Sequence, residues 1–179
     1  MRFCRVMLFA GFSFIASTLY GQDMPGATRG ATFQVGGGFS AANPDYSRKW
    51  ITGVSVYADA DLRRHIGIEF DYHYINLNTP FDLGEVTYLV GLRYSVNIHR
   101  FHPYVKGMLG LGTFEIEKDY YHNSSSNTYM AAAFGGGVEM PLTGHLNLRV
   151  IDAEFQRWPS FPPNGLSPFA LTSGLAYRF

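Results

Sequence analysis

The chain has 179 residues, and its 14 lysine and arginine residues balance its 14 aspartate and glutamate residues, so the formal net charge is zero. This length suits a single domain, and the balanced charge excludes the strongly basic surface typical of nucleic-acid-binding proteins. Glycine is frequent, with 20 residues, and aromatic residues make up 16% of the chain. Together these favour tightly curved β-sheet.

Residues 1–21 are typical of a secretory signal peptide. Arg2 and Arg5 form a short basic start, the apolar run VMLFAGFSFIAS follows, and TLYGQ offers Gly21 as the small residue before a cleavage point. The apolar run is shorter than the roughly 18 to 20 residues that a transmembrane helix needs. We therefore predict export with cleavage. Residues 22–179 would then form one domain without a cysteine, because Cys4 is the only one in the chain.

The rest of the chain contains eight segments in which apolar and polar residues alternate. Alternation with a period of two places successive side chains on opposite faces and predicts β-strands. The segments start at residues 32, 54, 66, 86, 104, 129, 146 and 169 and read TFQVGGGFS, VSVYADADL, IGIEFDYHY, VTYLVGLRYSV, YVKGMLGLG, YMAAAFGGGVEM, LNLRVIDAEF and FALTSGLAYRF.

The seventh segment breaks the alternation. The residues from Leu146 to Val150 alternate regularly, but Ala153 and Phe155 continue the apolar face only if one residue near Ile151 is extra. We interpret this as a β-bulge; the alternative is a strand that ends at Ile151. The bulge would gather the polar side chains of this strand on one face, namely Arg149, Asp152, Glu154 and Gln156.

The connections between the eight segments alternate in length. Short ones lie around residues 63–65, 99–102 and 141–144, and longer polar ones span about 41–50, 77–85, 118–128 and 157–167. Tight turns on one rim and long loops on the other are typical of barrels inserted in the outer membrane. The predicted fold is all-β, an eight-stranded antiparallel up-and-down transmembrane β-barrel.

The two faces of the strands indicate the solvent that each one meets. One face carries large apolar residues, with tyrosines near the strand ends as in the aromatic girdles at a lipid boundary; they include Tyr72, Tyr74, Tyr94 and Tyr177. The other face carries charged residues and glycines. A soluble barrel buries its apolar face, and alternation alone does not determine which face is outside. The export signal and the carboxyl-terminal strand, which ends on a phenylalanine, favour the bacterial outer membrane over a soluble periplasmic, lipocalin-like binding barrel.

Three motifs carry a resemblance to a known family. The closing LTSGLAYRF resembles the carboxyl-terminal strand of bacterial outer-membrane barrels, in which an outward terminal phenylalanine is read by the insertion machinery. PYVKGMLGLG (103–112) and GGGVEMPLTGHLNLRV (135–150) resemble the PYVGxGxGxG strand and the GxGVEYxLTxxLSLRxEY hairpin of the OmpA/OmpX-like family. The family's EY is replaced here by IDAEF, in line with the bulge. The resemblance implies an outer-membrane barrel whose insertion signal is Leu175, Tyr177 and Phe179.

The charged face holds the main group of residues that could take part in binding or catalysis. Charges enclosed in a small barrel have to pair, because an isolated buried charge is strongly unfavourable. We predict a lumen network of Glu69, Asp71, Arg93, Lys106, Glu139, Arg149, Asp152, Glu154 and Arg178. We also expect His73 to pair with carboxylates. Because an eight-stranded barrel is just wide enough for its own side chains, the interior is expected to be plugged.

A small outer-membrane enzyme acting on lipid A or another lipid is the alternative function. Asp119, His122 and Ser124 share the third long connection and are the residue types of a hydrolase. A serine-rich polar stretch between strands is more often a solvated loop. The chain has no glycine-rich phosphate loop and no paired metal-ligand spacing, so we expect no catalytic residue, no cofactor and no metal site.

The favoured function is a structural or surface-interaction role through the long external loops of a monomer. The loop aromatic residues include Trp50, Phe81, Tyr120, Tyr121, Trp158 and Phe161, and exposed rings of this kind suit contacts at a cell surface. The expected partners are outer-membrane lipid and lipopolysaccharide, the barrel-insertion machinery during assembly, and a surface protein or host ligand at the loops. Nucleic acid is not an expected partner.

Overall fold

The computed structural model of the chain describes residues 32–45, 50–75, 83–116 and 125–179. The predicted signal peptide, residues 1–21, lies outside these ranges. Within them, no helix is long and apolar enough to cross a membrane.

Eight antiparallel β-strands form a closed barrel in chain order. The strands are β1 (Thr32–Asn43), β2 (Ile51–Asp61), β3 (Ile66–Ile75), β4 (Leu83–Ser95), β5 (His102–Ile116), β6 (Ser125–Pro141), β7 (Leu146–Arg157) and β8 (Phe169–Arg178). Each strand pairs with the next one along the chain, and β1 closes the barrel by pairing with β8, from Gln34 opposite Arg178 to Asn43 opposite Phe169. The predicted eight-stranded up-and-down barrel is confirmed.

Three short turns lie on one rim of the barrel. In the β2–β3 turn, the backbone N–H groups of Leu62 and Arg63 both donate to the carbonyl of Ile66, each at 3.0 Å. In the β4–β5 turn, Ile98 and Phe101 exchange backbone hydrogen bonds of 2.8 and 2.9 Å. The four longer connections leave from the opposite rim, so the predicted alternation of short and long connections is also confirmed.

Alternation along each strand sends polar side chains into the barrel and apolar ones outward. In β3, Glu69 and Asp71 are buried, whereas Ile68 and Phe70 are 41% and 42% exposed. The most exposed large apolar residues of the outer face are Phe39, Leu92, Leu109, Met130, Phe134 and Phe179. An outer face of this composition is suited to lipid rather than to water.

The predicted bulge is present in β7. The pairing of this strand shifts register at the same point with both of its neighbours. Val150 and Ile151 are consecutive, yet both are exposed, while Arg149 and Asp152 on either side of them are both buried. The extra residue therefore brings Arg149 and Asp152 onto the same interior face, and the strand continues to Arg157.

The interior of the barrel has two layers. Apart from Glu85, which pairs in register with Ile75 and Phe114, the charged side chains lie nearer the short-turn rim, and apolar side chains lie towards the rim of the long connections. These apolar side chains are Leu89, Met108, Ala131, Ala133, Trp158 and Leu166 in one cluster, and Ala42, Ile51, Ile75 and Ala170 in a second. Two inward glycines make room for rings, because a Cβ atom at Gly36 would overlap Tyr57 and one at Gly112 would overlap Trp158.

Candidate functional site in the barrel lumen

Ten charged side chains are buried among the described residues. The carboxylates are Asp59, Glu69, Asp71, Glu85, Glu139, Asp152 and Glu154, and the cations are Arg93, Lys106 and Arg149. Seven carboxylates against three cations leave a formal excess of four negative charges when every group is ionised. Buried charges are tolerated when they are paired and hydrogen-bonded, and each of the three cations has several such contacts.

Arg149 is the most extensively bonded of the cations. Its Nε and Nη2 atoms both donate to Glu139 Oε1, at 3.0 and 2.9 Å, in a forked arrangement. Its Nη1 atom donates to Glu69 Oε1 at 2.9 Å and to Asp152 Oδ2 at 3.1 Å. Charge-assisted hydrogen bonds of this kind are stronger than neutral ones. Because β3 and β7 lie on opposite sides of the barrel, the bond to Glu69 spans the lumen.

Arg93 pairs with carboxylates from three other strands. Its Nη2 atom donates to Glu139 Oε2 at 2.8 Å, and its Nη1 atom lies 3.0 Å from Asp59 Oδ2 and 3.2 Å from Glu69 Oε2. The guanidinium also lies over the ring of Tyr104, with Cζ 4.0 Å from the ring centroid. Glu69 and Glu139 are thus shared between the two arginines.

Lys106 is the register partner of Arg93 and contacts carboxylates that lie further towards the long connections. Its Nζ atom donates to Glu69 Oε1 at 3.2 Å, to Asp152 Oδ2 at 2.8 Å and to Asp71 Oδ2. It also lies 3.2 Å from Glu154 Oε2. One ammonium group therefore contacts carboxylates from both β3 and β7.

Neutral polar side chains complete the hydrogen bonding. The amide nitrogen of Gln34 donates to Asp59 Oδ2 at 2.8 Å and to Glu139 Oε2 at 2.9 Å, and Gln34 Oε1 accepts from Asn147 at 2.6 Å. The Tyr104 hydroxyl donates to Asp152 Oδ2. The sequence interpretation did not assign a role to these residues. The available signal was their position on the charged face of each strand.

The structure brings together eight of the nine residues predicted for the network. The ninth, Arg178, lies at the short-turn rim, and its side chain donates to the Thr32 hydroxyl at 3.3 Å. No ion pair of Arg178 with a carboxylate occurs among the described residues. Its place at the end of β8 keeps it away from carboxylates in the middle of the lumen. Asp59 belongs to the group of contacting side chains instead.

Trp158 is not the exposed loop residue that the sequence suggested. Its side chain is fully buried and packs with the apolar cluster that includes Leu89 and Met108. Its indole N–H donates to Gln156 Oε1 at 3.0 Å. The position directly after β7 turns the ring inward over Gly112, where the missing side chain leaves space. Trp158 therefore lies above the charged layer, on the side of the long connections.

The three residues predicted as an insertion signal form one apolar row on the outside of β8. Leu175, Tyr177 and Phe179 are all exposed, Phe179 at 71%. The Phe179 ring contacts Tyr177 and Phe33, with centroid separations of 5.1 and 5.7 Å, and its backbone N–H donates to the Phe33 carbonyl at 2.9 Å. This row lies at the rim of the seam between β1 and β8.

A closed eight-stranded barrel with a charged lumen and an apolar outer face defines an integral outer-membrane β-barrel. The chain belongs to the family of outer membrane protein β-barrel domains, whose model matches residues 8–179. The protein is therefore located in the bacterial outer membrane, in an environment of lipid and lipopolysaccharide. The predicted family and location are confirmed, and the soluble lipocalin-like alternative is wrong because the apolar residues are outside and the charges inside.

Solved structures of outer-membrane proteins share the fold. Neisserial surface protein A superposes with a TM-score of 0.68 at 18% identity, covering 84% of this chain and 100% of that chain. Ail, the attachment invasion locus protein of Yersinia pestis, gives 0.55 at 15% identity, covering 83% and 97%. The N-terminal barrel domain of OprF from Pseudomonas aeruginosa gives 0.51 at 14%, also covering 83% and 97%. No curated protein matches the chain by sequence.

The candidate hydrolase residues Asp119, His122 and Ser124 lie outside the described residues. The charged lumen is thus the candidate site with defined geometry. Among the described residues, its contacts are between side chains of the barrel itself.

Proposed function

We propose that the protein is a non-enzymatic, monomeric outer-membrane barrel with a plugged lumen, which acts through contacts made by its long loops at the cell surface. The observation that carries the proposal is the set of ion pairs that Arg93, Lys106 and Arg149 make across the lumen. These pairs join β3 to β7, which lie four strands apart in a barrel of eight. A diffusion pathway would have to pass through them.

The apolar layer adds a second barrier on the side of the long connections. Trp158 is fully buried there, and Phe161 packs against it with ring centroids 6.4 Å apart. Phe161 also contacts Phe114 and Tyr129, at 5.5 and 5.0 Å. Hydrated ions are strongly disfavoured in an apolar constriction, so the two layers together support a plugged lumen.

Planar-bilayer recording tests the plugged lumen. The purified barrel, with its insertion verified by protection from protease, is expected to show no sustained large conductance. An open general porin in the same bilayers provides the positive control. Sustained large conductance steps from the purified barrel would contradict the plug.

Closure of the sheet supports a monomer. Because β1 pairs with β8 along ten positions, from Gln34 to Asn43, the described barrel has no unpaired strand edge for a second chain to extend. Association of two barrels would have to use the outer face, which already meets lipid.

The long connections support a surface-contact role. At their rim, Trp50 is 49% exposed and its ring meets Phe169 edge-on, with centroids 6.2 Å apart. Two proteins of the same fold are described as a surface protein and an attachment protein, namely Neisserial surface protein A and Ail. We extend this type of role to the present chain on the basis of its long aromatic loops.

The charges of the long connections argue against a polyanion as the partner. Ail was solved in complex with the heparin analogue sucrose octasulfate. In the present chain, the connections 44–50, 76–82, 117–124 and 158–168 contain three basic residues, Arg48, Lys49 and Lys118, against four acidic ones, Asp45, Asp82, Glu117 and Asp119. We therefore propose contacts through aromatic and neutral polar groups, and expect no retention on a heparin column at physiological salt.

Trypsin treatment of intact cells tests which rim faces outward, because both rims carry cleavage sites. Arg48, Lys49 and Lys118 lie in long connections, and Arg64 and Arg100 lie in short turns. Fragments ending at the first three residues are expected from intact cells. Fragments ending at Arg64 or Arg100 should appear only after the outer membrane is opened; their release from intact cells would place the long connections inside and contradict the proposal.

A further inference from the structure

His73 is a buried histidine at the edge of the ion-pair network. Its side chain points into the lumen from β3 and is 4% exposed. Neither ring nitrogen has a hydrogen-bond partner among the described residues, and the same is true of the hydroxyl groups of Ser55 and Thr87. These two residues are the register partners of His73 on β2 and β4, so their side chains emerge on the same face beside the imidazole.

Buried polar groups without partners are rare in folded proteins, because each loses its hydrogen bonds to water without replacement. Three of them on adjacent strands form a polar region between the ion pairs and the apolar layer. A ligand that bonds to the imidazole would remove the largest of these penalties. The chemistry of the neighbouring side chains indicates which ligand this is.

Two carboxylates face the imidazole. One ligand atom each from Asp71, His73 and Glu154 can be chosen so that all three lie within 4.8 Å of one another, and Glu154 Oε1 lies 3.8 Å from His73 Nε2. Metal–ligand bonds of about 2.0–2.2 Å separate tetrahedral ligand atoms by roughly 3.4 Å. Small side-chain rotations therefore suffice to close the three ligands around one ion.

Lys106 leaves part of each carboxylate available. Its ammonium contacts Asp71 Oδ2 and Glu154 Oε2. The Glu154 oxygen nearest to His73 is the other one, Oε1. Gln156 donates to that nearest oxygen, Glu154 Oε1, at 2.7 Å and orients the carboxylate. Outer hydrogen bonds of this kind are characteristic of metal ligands.

The charge of the lumen favours a cation at this position. The seven buried carboxylates exceed the three buried cations by four formal charges, and a divalent ion would offset two of these. One imidazole nitrogen with two carboxylate oxygens suits zinc and similar transition metals, whereas calcium and magnesium take oxygen ligands.

We propose that Asp71, His73 and Glu154 form a binding site for a divalent transition-metal ion of the zinc type inside the barrel. The ion would join β3, which supplies two ligands, to β7 on the opposite side. It would cross-link the two walls of the barrel on the long-connection side of Arg93 and Arg149. The proposal is independent of the surface role of the loops.

Zinc retention by the refolded full barrel tests the site. The mature chain is refolded in detergent with zinc chloride, folding is verified by the shift in gel mobility between unheated and heated samples, and loosely held metal is removed by desalting. The parent is expected to retain one zinc ion per barrel, and His73→Gln to reduce retention at least about tenfold. His145→Gln, at the short-turn rim, is the matched control and is expected to retain zinc like the parent.

X-ray absorption of the zinc-loaded parent provides a readout that does not depend on a variant folding. One nitrogen and two or more oxygen neighbours, with no sulfur, are expected around the metal. Absence of retained zinc, equal retention by His73→Gln and the parent, or a shell of several histidine nitrogens would each overturn the proposal. The last two results would mean that surface histidines hold the metal.

Discussion

The guanidinium of Arg149 lies over the ring of Tyr57, with its Cζ atom 3.5 Å from the ring centroid. The same guanidinium donates to Glu69, Glu139 and Asp152, so one side chain of β7 contacts residues of β2, β3 and β6. Tyr57 can take this position because Gly36, on the neighbouring strand, has no side chain under the ring. At the centre of the lumen, the Arg149 guanidinium therefore donates hydrogen bonds to carboxylates and also packs its flat face against an aromatic ring.

Removal of this charge is expected to be strongly destabilising. Arg149→Ala leaves buried carboxylates without their cation, which costs about 3–5 kcal/mol for a buried pair. Arg64→Ala, in an exposed turn, should change the free energy of unfolding by less than about 0.5 kcal/mol. Urea unfolding of the two variants in lipid vesicles measures the difference. Similar unfolding midpoints would show that Arg149 lies in water.

The ring of Tyr57 and its hydroxyl are expected to contribute unequally. The hydroxyl has no hydrogen-bond partner among the described residues, so Tyr57→Phe should leave stability nearly unchanged while keeping the ring under Arg149. Tyr57→Leu removes the cation–π contact, worth about 2 kcal/mol for a desolvated pair. Vesicle unfolding distinguishes the two, and equal losses would show that the hydroxyl rather than the ring stabilises Arg149.

Two glycines of β5 provide a matched test of packing inside and outside the barrel. A Cβ atom at Gly112 would overlap the ring of Trp158, whereas a Cβ atom at Gly107 meets no atom within 4 Å. Gly112→Ala is expected to destabilise the barrel by about 1–3 kcal/mol through overpacking and to shift the tryptophan fluorescence. Gly107→Ala should be neutral. Equal behaviour of the two variants would contradict the inward position of Trp158.

Phe179 is expected to be needed for assembly as well as for stability. If it is read by the insertion machinery, Phe179→Asp should impair insertion beyond the roughly 3 kcal/mol that the burial of one aromatic side chain supplies, and the protein should accumulate in the periplasm in a protease-sensitive form. Arg178→Ala, on the adjacent inward position, is the control and should insert. Fractionation of cells expressing each variant measures this. Normal insertion of Phe179→Asp would refute the targeting role.

Absence of enzymatic activity on lipid A can be measured directly. Expression of the barrel in a bacterial host is expected to leave the mass spectrum of lipid A unchanged. A lipid A species with one acyl chain fewer or more, lost again on Ser124→Ala, would contradict this expectation and support the hydrolase residues of the third long connection.

The strands and the bulge could be predicted from local pattern. A period of two is a property of neighbouring residues, and a missed step in that period at Ile151 is visible without knowledge of any partner strand. The alternation also separated the charged residues from the apolar ones, and Glu69, Arg93, Lys106 and Arg149 were identified on this basis. Local pattern sufficed here because strand geometry couples position in the chain directly to the face of the sheet.

The pairing of these charges depended on the closed barrel. Height along the barrel and register, which are set by strands far apart in the chain, decide that Asp59 reaches the arginines of the network and that Arg178 does not reach its carboxylates. The inward position of Trp158 likewise follows from the space over Gly112, 46 residues earlier. An outer-membrane barrel with a charged interior could be predicted from the sequence alone, since alternation and composition are local properties. That Asp71 and His73 face Glu154 follows from the folded barrel and not from local pattern, because this contact joins opposite walls of the barrel.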